Sequence, residues 1–203
     1  MNADPNCWNR INSFALVSYI PEPLAGFLDR LRQELVPNCF LRAHVTILPP
    51  RPICTTPQEA WNVLRAIAPA FSPFDIEMTD VEIFPVSDVI HIGIGAGSAQ
   101  LREMHAAMNV AGLCFQEAFA YHPHVTLAQD LKPDQIDELV AAGRKRWNEF
   151  VHGRKFHVDQ VVFVQNTRNK KEWIDLGECC LGQDDSRLVG VLADPNGEDG
   201  HSI

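Results

Sequence analysis

Two short stretches of the chain each place a histidine and a threonine two residues apart within an apolar run. They are RAHVTILPP at residues 42–50 and YHPHVTLAQD at residues 121–130. Because the pKa of imidazole is about 6.5, one histidine can accept a proton while a second donates one near neutral pH. A threonine hydroxyl can donate a hydrogen bond to an oxygen on which negative charge develops. Two such pairs facing each other would suit phosphoryl chemistry without a metal ion.

The alternation of side chains along a strand predicts which way these groups point. On a β-strand His44 and Thr46 share one face, and Val45 lies on the other. The second stretch repeats the pattern with His124 and Thr126. We therefore predict that the two histidines are the general acid and the general base, and that the two threonines hold the phosphate. The sequence leaves open which histidine is the base.

The segments around the two motifs alternate between strand and helix patterns. Apolar runs predict strands at 13–20, 42–48, 74–84, 88–95, 124–129, 155–166 and 172–180. Apolar residues at helical spacing predict helices that begin near Pro23, Thr56, Ser98 and Pro133. Thr56 and Glu59 have the spacing of a capping box, with Pro57 between them at the first helical position. Ser98 is expected to be an N-cap.

The second half of the chain repeats the element order of the first at nearly the same spacing. Thr46 precedes Asp80 by 34 residues, and Thr126 precedes Asp159 by 33. This agreement predicts an internal duplication, with two halves related by a pseudo-two-fold axis. The two His-Thr pairs would then face each other across a cleft.

We expect one bilobal domain over residues 1–180, with halves at about 12–86 and 87–180. Each half is expected to bury one face of its own sheet under its own helices and to present the other face to the cleft. Residues 183–203 carry five acidic residues against one arginine and show no sustained periodicity. We predict a flexible acidic C-terminal tail there.

Composition and charge exclude several classes of protein. The 203 residues are 46% hydrophobic, which excludes a wholly disordered chain. A formal net charge of −9 does not suit tracking along a duplex, since that needs many basic residues. The chain shows neither an apolar run of about 18 residues nor a signal sequence, and its six cysteines form no C-x-x-C pair. We expect a cytoplasmic monomer with no duplex DNA partner and no membrane partner.

The two motifs and their spacing resemble the 2H phosphoesterase superfamily, and most closely its 2′-5′ RNA ligase and cyclic nucleotide phosphodiesterase-like members. The resemblance covers roughly residues 12–180. It implies a duplicated, bilobal α+β fold in which two antiparallel β-sheets flank a central cleft, with helices on the outer faces. It also implies hydrolysis or RNA ligation at 2′,3′-cyclic phosphate or 2′-5′ phosphodiester bonds. The expected substrate is a nucleotide or a short RNA end, and no cofactor is expected.

One position departs from the pattern of the family. Many ligase-like relatives carry an arginine shortly after the second motif, where this chain has Gln129. We expect Gln129 to contact the substrate as a neutral donor. Arg51, directly after HVTILPP, is the first choice for a cation that binds the phosphate. Tyr121 and His122 complete the expected substrate-binding set.

Two alternatives from other functional classes remain open at this point. His122 and His124 form H-x-H on one strand face and could bind zinc or iron with His44, as in a metal-dependent hydrolase. The duplication does not support this site, because Arg42 stands at the position equivalent to His122. The other alternative is a nucleotide-binding or RNA-binding module that keeps the cleft without turnover.

Overall fold

The computed structural model describes residues 10–168 and 172–182, which form eight β-strands and four α-helices. The strands are β1 (Arg10–Tyr19), β2 (His44–Arg51), β3 (Phe74–Ile83), β4 (Ile90–Ile94), β5 (His124–Ala128), β6 (Lys155–Val158), β7 (Gln160–Thr167) and β8 (Trp173–Cys180). The helices are α1 (Leu24–Leu35), α2 (Pro57–Ile67), α3 (Ser98–Met108) and α4 (Ile136–Asn148). None of these helices is long and apolar enough to cross a membrane. The predicted acidic tail lies outside the described residues.

The strands form two four-stranded antiparallel sheets, in the orders β2-β1-β7-β8 and β5-β4-β3-β6. This arrangement confirms the expected duplicated, bilobal α+β fold. The prediction that each half of the sequence forms its own sheet is wrong. The first half places β1 and β2 in one sheet and β3 in the other, where β3 pairs with β4. The second half places β4, β5 and β6 in that second sheet and returns β7 and β8 to the first, where β7 pairs with β1. In both halves the first two strands share a sheet and a later part of the chain crosses to the other sheet, which agrees with a duplication.

The long strand predicted at 155–166 is two strands that belong to different sheets. The chain leaves the second sheet after Val158 and enters the first at Gln160. Between them, the carbonyl oxygen of Asp159 accepts a hydrogen bond from the backbone amide of Leu181 at 2.7 Å. Side-chain alternation reports which face a residue occupies but not which strand lies beside it, so the periodicity does not reveal this crossing.

Three helices pack against strands of the opposite half of the sequence, so the expectation that each half covers its sheet with its own helices is wrong. Helix α1 contacts β5, helix α3 contacts β2, and β2 and β5 contact each other. The buried residues of both motif strands, among them Val45 and Val125, belong to a single hydrophobic cluster. Because that cluster joins the two strands, their separation is fixed by close packing rather than by a flexible linker.

The starts of two helices show why one predicted cap is present and the other is not. The Thr56 hydroxyl accepts from the Glu59 amide at 3.2 Å, and the Glu59 carboxylate accepts from the Thr56 amide at 3.0 Å, so the capping box is confirmed. Ser98 is instead the first helical residue, and the N-cap is Gly97 at φ 87°. A Cβ at Gly97 would lie 2.7 Å from the Asp75 carbonyl oxygen, so both the backbone angle and the close approach require glycine.

Candidate active site

The two motif strands present their side chains as the alternation predicts. Strand β2 begins at His44 and β5 begins at His124. Val45 and Val125, the next residues, are 0% and 1% exposed. The histidines and the threonines two residues further on are partly exposed on the other face. The apolar face of each strand therefore anchors it in the core, while the polar face is available for chemistry.

One cavity of about 800 Å³ is lined by both motifs. This volume falls within the range of about 300–1,000 Å³ that is usual for small-molecule sites. The predicted site residues that line it are His44, Thr46, His124, Thr126, Tyr121, His122 and Gln129. The structure thus brings together residues that lie about 80 positions apart in the sequence.

Both motif histidines are held in the same way by the backbone two residues earlier. Nδ1 of His44 lies 2.6 Å from the carbonyl oxygen of Arg42, and Nδ1 of His124 lies 2.7 Å from that of His122. A carbonyl oxygen can only accept, so in each neutral ring Nδ1 carries the hydrogen. Nε2 of each ring then carries the lone pair that can take a proton from a bound molecule.

Aromatic side chains pack against the rings of the two histidines. Trp173 lies 4.9 Å from His44 between ring centroids. Phe84 meets His124 edge-on at 5.0 Å and stacks on His91 at 3.8 Å. Such packing restricts ring rotation, so each Nε2 keeps one direction.

Burial lowers the pKa of both motif histidines to about 4. For His44, the cationic Arg32 lowers the pKa further, and smaller contributions come from His124 and Arg42. For His124, His91 and His122 contribute in the same direction. The backbone hydrogen bond at Nδ1 opposes these effects in both rings. Both imidazoles are therefore neutral near pH 7 until an anion enters the cavity.

Tyr121 lines the cavity, but its hydroxyl is used within the protein. The hydroxyl donates to the carbonyl oxygen of Thr46 at 2.6 Å, and the ring stacks on His105 at 4.0 Å. Nδ1 of His105 lies 2.9 Å from the carbonyl oxygen of Ile47. Tyr121 and His105 therefore hold strand β2 in place beside the segment that leads into β5.

Arg51, the predicted phosphate-binding cation, lies outside the cavity. It is 1% exposed, and its guanidinium donates to the Pro49 carbonyl oxygen and to Asn109 and forms an ion pair with Glu117. Arg51 is not among the described residues that line the cavity. The guanidinium of Arg51 therefore stabilises the structure at a position outside the cavity.

Arg32 lines the cavity, and sequence reasoning missed it. It is 4% exposed, and its Nη1 donates to the carbonyl oxygens of Leu41 at 3.0 Å and Arg42 at 3.3 Å. Among the described residues it is the one arginine or lysine in the cavity lining. Its place on α1 could have indicated its burial. Arg32 lies four residues after Leu28 and beside Leu31, on the face where an amphipathic helix carries apolar residues.

The histidines near the second motif do not form a metal site in the described residues. His91, His122 and His124 cluster around Phe84, and the His91 ring lies 5.3 Å from His124 and 6.2 Å from His122 between centroids. Across residues 10–168 and 172–182, no group of three or more histidine, cysteine, aspartate or glutamate residues is arranged to hold a metal ion. The arrangement of side chains therefore lends no support to the zinc alternative.

The sequence matches a known family over most of its length. Residues 20–170 match the 2′-5′ RNA ligase superfamily. The chain is 26% identical over 149 residues to BH1439 of Halalkalibacterium halodurans, which is named as a phosphoesterase. That match covers 69% of this chain and 82% of the relative. A similarly named protein of Oceanobacillus iheyensis, OB1230, is 27% identical over 130 residues, which cover 64% of this chain and 73% of that one.

Solved structures share the fold at low sequence identity. Escherichia coli LigT, crystallised with 3′-AMP, is similar with a TM-score of 0.59 and 16% identity, covering 86% of this chain and 99% of LigT. Usb1 of Kluyveromyces marxianus is similar with a TM-score of 0.51 and 11% identity, covering 81% of this chain and 97% of Usb1. The family match, the duplicated fold and the paired motifs agree. The chain belongs to the 2′-5′ RNA ligase superfamily, within the 2H phosphoesterases.

Proposed function

We propose that this protein is a metal-independent phosphodiesterase that cleaves 2′,3′-cyclic phosphate or 2′-5′ phosphodiester bonds by two-histidine acid and base catalysis. One observation carries the proposal: His44 and His124 line one cavity, and each is held through Nδ1 so that Nε2 is left for proton transfer. Membership in the phosphoesterase superfamily supports the same reaction class. Reversal of the same steps would join RNA ends.

The side chains of the site can supply each group that the reaction needs. One neutral imidazole takes a proton from the attacking water, and the other, once protonated, gives a proton to the leaving ribose oxygen. The hydroxyls of Thr46 and Thr126 face the same cavity and can donate to the non-bridging phosphate oxygens. The anionic phosphate raises the pKa of the nearby imidazoles, so its binding favours uptake of the proton that the acid requires.

A small nucleotide or a short RNA end suits this cavity better than a long duplex. Among the described residues, Arg32 is the one arginine or lysine that lines it, and the chain has a net charge of −9. Exposed apolar side chains at the cavity, including Phe40 and Phe119, offer surfaces on which a base can stack. LigT has been crystallised with 3′-AMP, NADP+ and ATP, and Usb1 with uridine monophosphate. We propose that Gln129 and His122 contact the substrate beside the two motifs.

A turnover screen in the presence of EDTA tests this function. The substrates are 2′,3′-cyclic nucleotides and 2′-5′-linked dinucleotides, with 3′-5′-linked dinucleotides as the matched control. We expect hydrolysis of one or both of the first two classes and no loss of rate with EDTA. Loss of activity with EDTA and its recovery with zinc would establish the metal-dependent alternative. Tight binding of a 2′-phosphonucleotide with no hydrolysis of any substrate would establish a binding module.

The pH dependence should follow from the low pKa values of the two imidazoles. Because both are about 4 in the free protein, the form that carries one proton on the pair is most populated near pH 4. We expect kcat/KM to fall about tenfold per pH unit from about pH 5 to 8. The decline of kcat should begin at higher pH, since bound phosphate raises both pKa values. Steady-state rates at constant ionic strength measure both; a constant kcat/KM across this range would contradict the scheme.

Replacing either motif threonine with valine should lower kcat with little change in folding. Thr46→Val and Thr126→Val keep the shape of the side chain and remove only the hydroxyl. Loss of one hydrogen-bond donor to an oxygen that gains negative charge in the transition state typically lowers kcat by about 10²-fold. A similar loss is expected for each variant. Steady-state kinetics with a cyclic nucleotide provide the measurement. A rise in KM with kcat unchanged would show that the hydroxyls bind substrate and transition state equally well.

A further inference from the structure

Arg32 is a buried cation with an unusual set of partners. Its guanidinium donates to two backbone carbonyl oxygens, and none of the ion pairs in the described part of the chain involves it. Its Nε is buried and has no hydrogen-bond partner. Asp29, three residues earlier on α1, attracts the charge of Arg32 but forms no ion pair with it among the described residues. A buried arginine with no ion pair is costly to maintain, which suggests that its charge serves another purpose.

The position of Arg32 ties it to one of the two motif histidines. The carbonyl oxygen of Arg42 accepts from Nη1 of Arg32 at 3.3 Å and from Nδ1 of His44 at 2.6 Å. One oxygen atom thus orients both the cation and the imidazole. Among the described residues, no arginine donates to the carbonyl oxygen of His122, which orients His124; Arg102 donates instead to the carbonyl oxygen of Tyr121, one residue earlier, at 2.6 Å. The two motifs match in backbone geometry, but Arg32 is buried and shares a carbonyl oxygen with His44, whereas Arg102 is exposed and shares none with His124.

The charges that face the two imidazoles are therefore unequal. Arg32 on α1, the exposed Arg42 and His124 on β5 act on His44. Arg42 also lies against the Tyr19 ring and near Asp175, which offsets part of its charge. The groups that act most on His124 are His91 on β4 and His122, and these, like His44, carry charge only when protonated. A proton taken up with an anionic substrate will thus favour His124 over His44.

The geometry points to Arg32 as a positioning residue that makes His44 the general base and leaves His124 as the general acid. This inference rests on the proposed function and assigns the roles that the motif symmetry leaves open. In the forward step, Nε2 of His44 takes a proton from water while the water oxygen bonds to phosphorus. The bond from phosphorus to one ribose oxygen breaks, and that oxygen receives the proton from Nε2 of His124. Solvent exchange then returns the pair to its starting protonation state.

Titration of the two histidines by NMR tests the role of Arg32 without any need for turnover. The imidazole signals are assigned with His44→Gln and His124→Gln variants and are followed from about pH 2.5 to 8, a range that brackets midpoints near 4. In Arg32→Gln we expect the midpoint of His44 to rise by about one pH unit, with His124 moving by less than about 0.3 unit. Arg32→Lys keeps the charge and should keep the midpoint of His44 near its wild-type value.

Arg42→Gln is the matched control for the titration. Arg42 is the other arginine that acts on His44, but its side chain is exposed and lies beside Asp175. Its replacement should move the midpoint of His44 less than Arg32→Gln does. Equal shifts of both histidines in Arg32→Gln, or a lysine variant that behaves like the glutamine variant, would overturn the inference. Thermal melts establish that each variant is folded.

Leaving-group dependence tests the assignment of the two roles with Arg32 in place. A nucleoside 3′-(p-nitrophenyl phosphate) releases p-nitrophenolate, which leaves without being protonated. His124→Ala should lose much less activity on this substrate than on an unactivated ester. We expect its rate relative to wild type to be about 10²-fold higher on the p-nitrophenyl ester. His44→Ala should show no such recovery. The opposite pattern would overturn the assignment, whereas wild-type protein that turns over neither substrate would overturn the proposed function and leave the titration result standing.

Discussion

Replacing His44 or His124 with alanine is expected to lower the turnover of a 2′,3′-cyclic nucleotide by about 10²- to 10⁴-fold. Each imidazole is held at Nδ1 by a backbone carbonyl and lines the cavity, so each variant removes one proton-transfer group. Water that takes the vacated space lacks both the fixed position and the suitable pKa. Single-turnover rates, measured with EDTA present, separate this chemical step from substrate binding.

The double variant gives a sharper result than either single variant. If both histidines act in one step, removal of the second adds little to removal of the first, and the double variant should be about as slow as the slower single variant. His157→Ala is the matched control, because His157 is also a strand histidine and pairs with the exposed Asp75 at 2.7 Å. It does not appear among the described residues that line the cavity. Two single variants that match wild type would refute the assignment of the site.

The motif geometry could be predicted from sequence because it depends on local backbone geometry alone. In any β-strand, residues two apart share a face, so the burial of Val45 and Val125 places the motif histidines and threonines on the other side. Duplication then places two strands at equivalent points of the fold. The crossing of the chain between the two sheets could not be predicted, since strand pairing is decided by packing between residues far apart in sequence.

The two arginines show the limit of sequence reasoning most clearly. Arg51 follows the first motif directly, yet its partner Glu117 is 66 residues away and draws its guanidinium into the interior. Arg32 stands on a helix twelve residues before His44, yet the fold brings it to the cavity. Proximity in sequence did not identify the cation of this site. The better indication was an arginine at an apolar position of an amphipathic helix, where its burial needs an explanation.

Replacing Arg51 with methionine is expected to reduce the free energy of unfolding by about 3–5 kcal/mol. The ion pair with Glu117 is almost fully buried, since the side chains of Arg51 and Glu117 are 1% and 15% exposed. Removal of the cation leaves a largely buried carboxylate, with His105 at 3.7 Å as the remaining basic group near it. The substitution also deprives the carbonyl oxygen of Pro49 and the side chain of Asn109 of their donor. Urea denaturation, followed by circular dichroism, measures the loss.

Two further variants separate loss of the ion pair from loss of packing and from a role in binding. The double variant Arg51→Met, Glu117→Gln removes the unpaired charge and should recover a substantial part of the stability, because much of the cost comes from leaving one partner buried alone. Arg146→Met removes a surface arginine paired with Glu34 and should cost much less, since solvent screens exposed pairs.

Below its unfolding temperature, Arg51→Met should keep the wild-type KM. Unchanged stability together with a raised KM would instead show that Arg51 binds the phosphate.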